Sequence, residues 1–172
     1  MMGFIYWFSL GIVVYTYAGY PFLLFILSSF FSKPIEKKKI IPSVSIIISV
    51  YNAQKYIDKK IQNCLNLNYP SDKLEILIGS DGSTDDTNEI VENYISQGIK
   101  FYKWSDRRGK VNVLNELVLL ARGEIFLFTD DRQILDENAI IELVSNFADD
   151  RVGCVSGELI FESQGENNIS NS

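Results

Sequence analysis

The sequence predicts an α/β chain: a mostly parallel sheet with helices on both faces, preceded by one transmembrane helix. Three observations predict it. Residues 3–31 form one uncharged, apolar run. After that run, short β-branched stretches alternate with segments of helical period. The unusual polar residues then cluster where the strands end.

The totals agree with a folded chain. Its 172 residues allow one domain plus an appendage. Apolar residues make up 47% and charged residues 22%, the balance of a packed core rather than of disorder. A net charge of −6 argues against a nucleic-acid surface, so none is expected as partner. The chain has no histidine, which removes Ser–His and Cys–His nucleophiles and all histidine metal sites. Acid–base or metal work must fall to carboxylates. Cys64 and Cys154 are far apart, match no metal or redox spacing, and read as buried or half-buried free thiols.

The apolar run exceeds the roughly 20 residues that a bilayer core requires of a helix. Tyr6, Trp7 and Tyr20 suit the headgroup level. Pro21 predicts a kink or tilt. A signal peptide fits less well, because there is no basic start and the apolar run is too long. Lys33, Lys37, Lys38 and Lys39 follow at once, which puts that side in the cytoplasm and near anionic lipid headgroups. The expected organisation is an anchor at 1–32, a basic, proline-containing linker at 33–42, a domain at 43–161 and a flexible polar tail at 162–172.

Within the domain, VSIIISV at 44–50 reads as a strand covered on both faces. A helix through Ile57, Ile61, Cys64 and Leu65 follows, broken by Asn68-Tyr69-Pro70-Ser71. The second strand is expected at 74–78 and runs into Gly79-Ser80-Asp81-Gly82-Ser83-Thr84-Asp85-Asp86. A helix bearing Ile90, Val91, Tyr94 and Ile95 ends at Gly98. Residues 99–104 read as a third strand. Arg107-Arg108-Gly109-Lys110 leads into a helix with Val113, Leu114, Leu117, Val118 and Ala121 aligned, closed by Gly123. The fourth strand, 125–129, ends at Asp130-Asp131-Arg132. A helix at about 137–147 and a fifth strand at 152–155 complete the series.

Parallel strands place their carboxyl ends on one edge, where α/β sheets bind ligands. Tyr51-Asn52, Asp81, the 107–110 cluster and Asp130-Asp131 therefore converge on one crevice. Their kinds match an anionic nucleotide bound with a metal. Asp81 can accept from a base or sugar, while Arg107, Arg108 and Lys110 can neutralise phosphate. Asp130 can bind ribose hydroxyls or a cation. Plainer roles stand beside these. Ser83 or Thr84 can cap a helix, with Asp85 and Asp86 favouring its first turn. Gly79 and Gly82 can be simple turn glycines. Arg107-Arg108 can be a solvated corner, and Tyr51 and Asn52 plain turn residues. Lys110 begins a helix, where a cation is mildly unfavourable, so a nearby anion would explain it.

The ordered set SVYNA at 49–53, GSDGSTDDT at 79–87, RRGK at 107–110, FTDDRQ at 128–133 and VSGEL at 155–159 resembles family 2 glycosyltransferases, membrane-bound subgroup. Tyr17-Ala18-Gly19-Tyr20-Pro21 is similar to the span preceding such domains. The resemblance implies a Rossmann-like GT-A fold, a nucleotide-diphosphate-sugar donor, UDP-sugar first, and inverting transfer to an acceptor hydroxyl. It places Tyr51, Asn52 and Asp81 in the nucleoside pocket, Lys110 toward base or diphosphate, and Asp130 near ribose and metal, with Asp131 as a second possible ligand. Magnesium or manganese is the implied cofactor. Two positions depart from the family pattern. Arg132 stands where the third, metal-binding acid of the Asp-x-Asp motif is usual. The later acidic motif that carries the family's general base has no counterpart by Ser172, and neither Glu158 nor Glu162 matches it. The expectation is a donor half that lacks the acceptor half and base, with a non-catalytic nucleotide-binding or membrane-partner module as the alternative.

Overall fold

The computed structural model describes residues 2–31 and 33–160. The chain divides into two compact units, Met1–Ile35 and Glu36–Ser172.

The first unit is helical. Helix α1 (Met2–Val14) passes through a π-helical turn, Tyr15–Gly19, into helix α2 (Tyr20–Phe31). Its apolar stretch Gly3–Phe30 is 28 residues long, or roughly 42 Å at about 1.5 Å per residue. That exceeds the ~30 Å hydrocarbon core of a bilayer, so length and composition permit a crossing. A π turn lies just before Pro21. Proline lacks an N–H, and its ring crowds the carbonyl four residues back. The ladder slips by one residue, so that the Tyr20 N–H donates to the Tyr15 carbonyl.

The second unit is the α/β domain. Its strands are β1 (Val44–Val50), β2 (Leu74–Asp81), β3 (Ile99–Trp104) and β4 (Ile125–Phe128). They form one parallel sheet in the order β3-β2-β1-β4. β1 is central and wholly buried, as its continuous apolar run requires. Ile46, Ile48 and Val50 pack on one face with Ile57, Ile61 and Cys64 of helix α3 (Ile57–Leu65), Val91 of helix α4 (Thr87–Glu92), and Ile140 and Val144 of helix α6 (Ala139–Val144). Ile47 and Leu77 pack on the other with Val113 and Leu117 of helix α5 (Lys110–Leu120).

β2 runs three residues past its expected end and carries Gly79-Ser80-Asp81 in the ladder. Gly79 is therefore not a turn glycine. A methyl group there would lie 2.6 Å from Val113 Cγ1, so its role is to admit α5. Gly123 similarly admits the backbone of β1, since a methyl group there would lie 2.5 Å from the Ser45 nitrogen. α5 itself ends at Leu120, before Gly123. Glu75 fastens this opposite edge of the sheet. It accepts hydrogen bonds from Ser45 Oγ, Lys100 Nζ and the Arg122 and Gly123 amides. Burial alone would raise its pKa, but the Lys100, Ser45 and Arg122 donors bring it down to about 2.

Three expectations change. The expected fifth strand, 152–155, makes no ladder. Those residues instead line a groove of 540 Å³ beside β4, with Ile140, Val144 and Phe147. Val152 and Val155 are half-buried while Gly153 and Cys154 are exposed, and an apolar run without a pairing edge is not a strand. The last helix is shorter than expected, and Ser145–Ala148 tightens into a 3₁₀ turn. Of the two thiols, Cys64 is buried but Cys154 is exposed. The expected tail at 162–172 lies outside the described residues.

Candidate functional site

At the carboxyl edge of β1, Asn52 adopts φ 49°, the left-handed region that asparagine tolerates. Its N–H donates to Ser83 Oγ at 3.1 Å, and its Oδ1 accepts the Thr84 N–H at 2.9 Å. The loops after β1 and β2 are thus locked to each other. Asp85 adds to this lock. It accepts the Gln54 N–H at 3.1 Å and both the N–H and the hydroxyl of Thr87. Ser83 and Thr84 consequently do not cap α4. The residue before that helix is Asp86, which makes no side-chain cap bond. Tyr51 lies beneath the Arg107 guanidinium, whose carbon is 4.1 Å from the ring centroid, a cation–π pair.

Asp81 ends β2 and is 3% exposed. Its carboxylate accepts the Arg108 N–H at 2.6 Å and the Gly109 N–H at 2.9 Å. These bonds fix the loop that delivers Arg107 and Lys110. Gly82, at φ 69°, lets the two loops touch, since a methyl group there would meet the Arg107 nitrogen at 2.9 Å. A carboxylate has about four acceptor positions, so Asp81 keeps capacity for a further donor. Arg108 turns away, bonding Glu116 at 2.6 Å and lying over Trp104.

Lys110, at the start of α5, meets Asp130 beyond β4, with Nζ 3.0 Å from Oδ1. This is the anion that a cation at a helix start calls for. The pair is about half exposed, so it contributes only ~0–1 kcal/mol. Lys110, Leu114, Phe128, Thr129, Asp130 and Gln133 line a hollow of 220 Å³. Burial pushes the Asp130 carboxyl up, but the Lys110 ammonium outweighs it and holds the group below the usual range. Burial and then the Asp130 charge push Asp131 above it. Arg132 lies over the Tyr56 ring at 5.3 Å, and its charge partly offsets the rise at Asp131.

The structure therefore joins Tyr51 to Arg107, Asp81 to the 108–109 backbone, and Lys110 to Asp130, with residues 107–110 linking the two halves. Among the described residues no cluster of three His, Cys, Asp or Glu could hold a metal alone. Asp130 and Asp131 still fit magnesium or manganese, which commonly take one or two carboxylates and complete their shell with substrate phosphate and water.

Sequence reasoning missed Lys60. This α3 residue is fully buried. Its Nζ donates to Thr129 Oγ1 at 2.9 Å and to the Gln133 carbonyl at 2.7 Å, under the acidic turn. Burial lowers its pKa, against the charges of Cys64, Asp130 and Asp131. The signal was present, because Ile57, Lys60, Ile61 and Cys64 fall at i, i+3, i+4 and i+7, which places a lysine on the apolar face.

Comparison with known proteins places the chain in a family. The chain is 26% identical over 162 residues to poly-beta-1,6-N-acetyl-D-glucosamine synthase of Staphylococcus epidermidis, covering 91% of this chain and 39% of that protein. It is 30% identical over 130 residues to the probable glycosyltransferase YdaM of Bacillus subtilis, covering 72% and 31%. The chain thus spans well under half the length of these relatives. Among solved structures, the Pyrobaculum calidifontis mannosyltransferase PcManGT in complex with GDP-Man and Mn2+ superposes with a TM-score of 0.71 at 28% identity, covering 84% of this chain and 45% of that one. S. aureus TarS 1-349 in complex with UDP-GlcNAc gives 0.55 at 26% identity, covering 59% and 30%. The model of Glycosyl transferase family 2 matches residues 45–172, and the chain belongs to that family.

Proposed function

We propose that this chain carries the nucleotide-sugar half of a membrane-anchored, inverting glycosyltransferase with a UDP-sugar donor. Residues 1–32 serve as the anchor, 33–42 as a basic tether and 43–161 as the donor-binding domain, facing the cytoplasm. The observation that carries the reading is the continuous set of contacts along one sheet edge, from Tyr51–Arg107 through Asp81 and the 107–110 loop to Lys110–Asp130.

Each group has a part. Tyr51 offers a ring face to the base, and Asn52 holds the loop that frames it. Asp81 accepts from the base while it keeps the 107–110 loop in place. Arg107 and Lys110 are the cations nearest the diphosphate. Asp130 and Asp131 would hold a divalent cation, which supplies charge to stabilise the leaving diphosphate. Lys110 can exchange Asp130 for phosphate oxygens when the donor arrives, since its present pair is exposed and weak. In the complete enzyme the acceptor hydroxyl would attack the sugar carbon from the side opposite the diphosphate, whose bond to that carbon breaks, and the proton would pass to a carboxylate that none of these residues supplies.

Relatives and neighbours support the donor class by what they are. One solved neighbour holds UDP-GlcNAc and another GDP-Man with Mn2+. The test is calorimetric titration of the chain in detergent with UDP and GDP, with and without manganese. UDP is expected to bind more tightly with the metal, and both Asp81→Ala and Asp130→Ala to weaken it at least tenfold. Unchanged affinity in both variants would sink the assignment.

A further inference from the structure

The acidic turn is built as a small closed unit. The Gln133 N–H donates to the Asp130 carbonyl at 3.3 Å, and the Asp130 N–H donates to Gln133 Oε1 at 3.2 Å. α3 grips that unit from below at two successive positions. Lys60 bonds Thr129 and Gln133, at its two ends. One turn on, Asn63 makes a reciprocal pair with Leu135, donating to its carbonyl and accepting its N–H, both at 2.8 Å. We propose that Lys60 is a positioning residue of the donor site: its buried ammonium sets the Thr129–Gln133 turn that presents Asp130 and Asp131 to the cation and diphosphate.

A space-filling role does not account for a lysine here. Burying a cation costs several kcal/mol relative to an apolar side chain of the same length, and a methionine would fill the same space. The ammonium instead bonds a hydroxyl and a carbonyl, the atoms that bracket the two acids. Its two hydrogen bonds thereby hold the turn from behind, under carboxylates that lack a third acid, where Arg132 stands. Groups that orient metal ligands in this way typically change metal affinity or activity by about 10- to 100-fold when removed. The functional half of this inference rests on the donor-site reading above.

The test uses the full chain in detergent micelles, with Lys60→Met, Lys60→Arg and Thr129→Val. Hydrogen exchange at 129–135 is read in the apo protein, and affinity is read for UDP with manganese and for uridine alone. Lys60→Met is expected to raise exchange at 129–135 and not in β1. It should weaken UDP with manganese about tenfold, leave uridine binding unchanged, and be partly rescued by Lys60→Arg. Thr129→Val should show the same pattern in smaller measure, and decides alone should Lys60→Met fail to fold. Unchanged exchange and affinity, or equal losses for UDP and uridine, would overturn the proposal. A wild-type chain that binds neither nucleotide nor nucleoside would overturn the donor-site reading. The exchange arm then still reads whether Lys60 holds the turn.

Discussion

Asp130 and Asp131 are adjacent in sequence, yet their environments drive them apart. Lys110 stabilises the first as an anion, whereas burial and the Asp130 charge disfavour ionisation of the second. A carboxyl whose folded pKa lies above its ordinary 3.8 binds its proton more tightly in the folded state. Stability therefore falls as pH rises from the ordinary value through the raised one, and the cost persists at neutrality. Asp131→Asn removes that cost. The variant is expected to melt above the wild type at pH 7, with the difference closing below about pH 4. Its manganese-dependent UDP affinity should fall. A melting point that drops at pH 7 would contradict the assignment. This trade of stability for function is common where charged ligands are held close together without their cation.

At the scale of elements, β1, β3, α3 and α5 were legible because each has a local pattern: a continuous β-branched run in β1, an aromatic-rich run after Gly98 in β3, and 3.6-residue spacing for the helices. The site was legible in residue kind and edge, since Lys110 and Asp130 do meet. Three things were not legible, for three reasons. Gly79 looked like a turn residue because sequence cannot show that a helix from 30 residues on will press against it. Asp81 was read as a ligand group only, because its bonds to the Arg108 and Gly109 amides are long-range. Lys60 was overlooked because lysine is ordinarily counted as surface. The Gly79 contact gives a direct prediction. Gly79→Ala would place its methyl 2.6 Å from Val113 and 3.0 Å from Leu117 and Trp104. Overpacking of this kind costs about 1–3 kcal/mol, which chemical denaturation would read. Gly79→Ala combined with Val113→Ala should recover part of the loss, because the shortest of these contacts, 2.6 Å, is with Val113. A loss that Val113→Ala does not relieve would place the strain in the backbone instead.

For the whole molecule, the open question of orientation has a convenient reporter. The chain has two cysteines. Cys64 is fully buried inside the α/β unit, between α3 and the sheet, and should be silent to a polar reagent. Cys154 is exposed on the same unit, so it alone reports which side of the bilayer that unit occupies. The apolar 28-residue helix is long enough to cross a bilayer, and Lys33, Lys37, Lys38 and Lys39 follow its carboxyl end in sequence. Lysines in short flanks resist translocation, so the proposed orientation has the lysine side in the cytoplasm. In intact cells a membrane-impermeant maleimide is therefore expected to leave the chain unlabelled. In inverted vesicles it should label Cys154 fully, and Cys154→Ser should abolish that labelling. The protein should also stay with the membrane through alkaline carbonate, since a span of this length is held by hydrophobic burial rather than by charge. Replacing the four lysines by glutamine should weaken the sidedness without releasing the chain. Labelling of Cys154 from outside intact cells would reverse the orientation, and would separate this unit from any cytoplasmic pool of nucleotide-sugar donor.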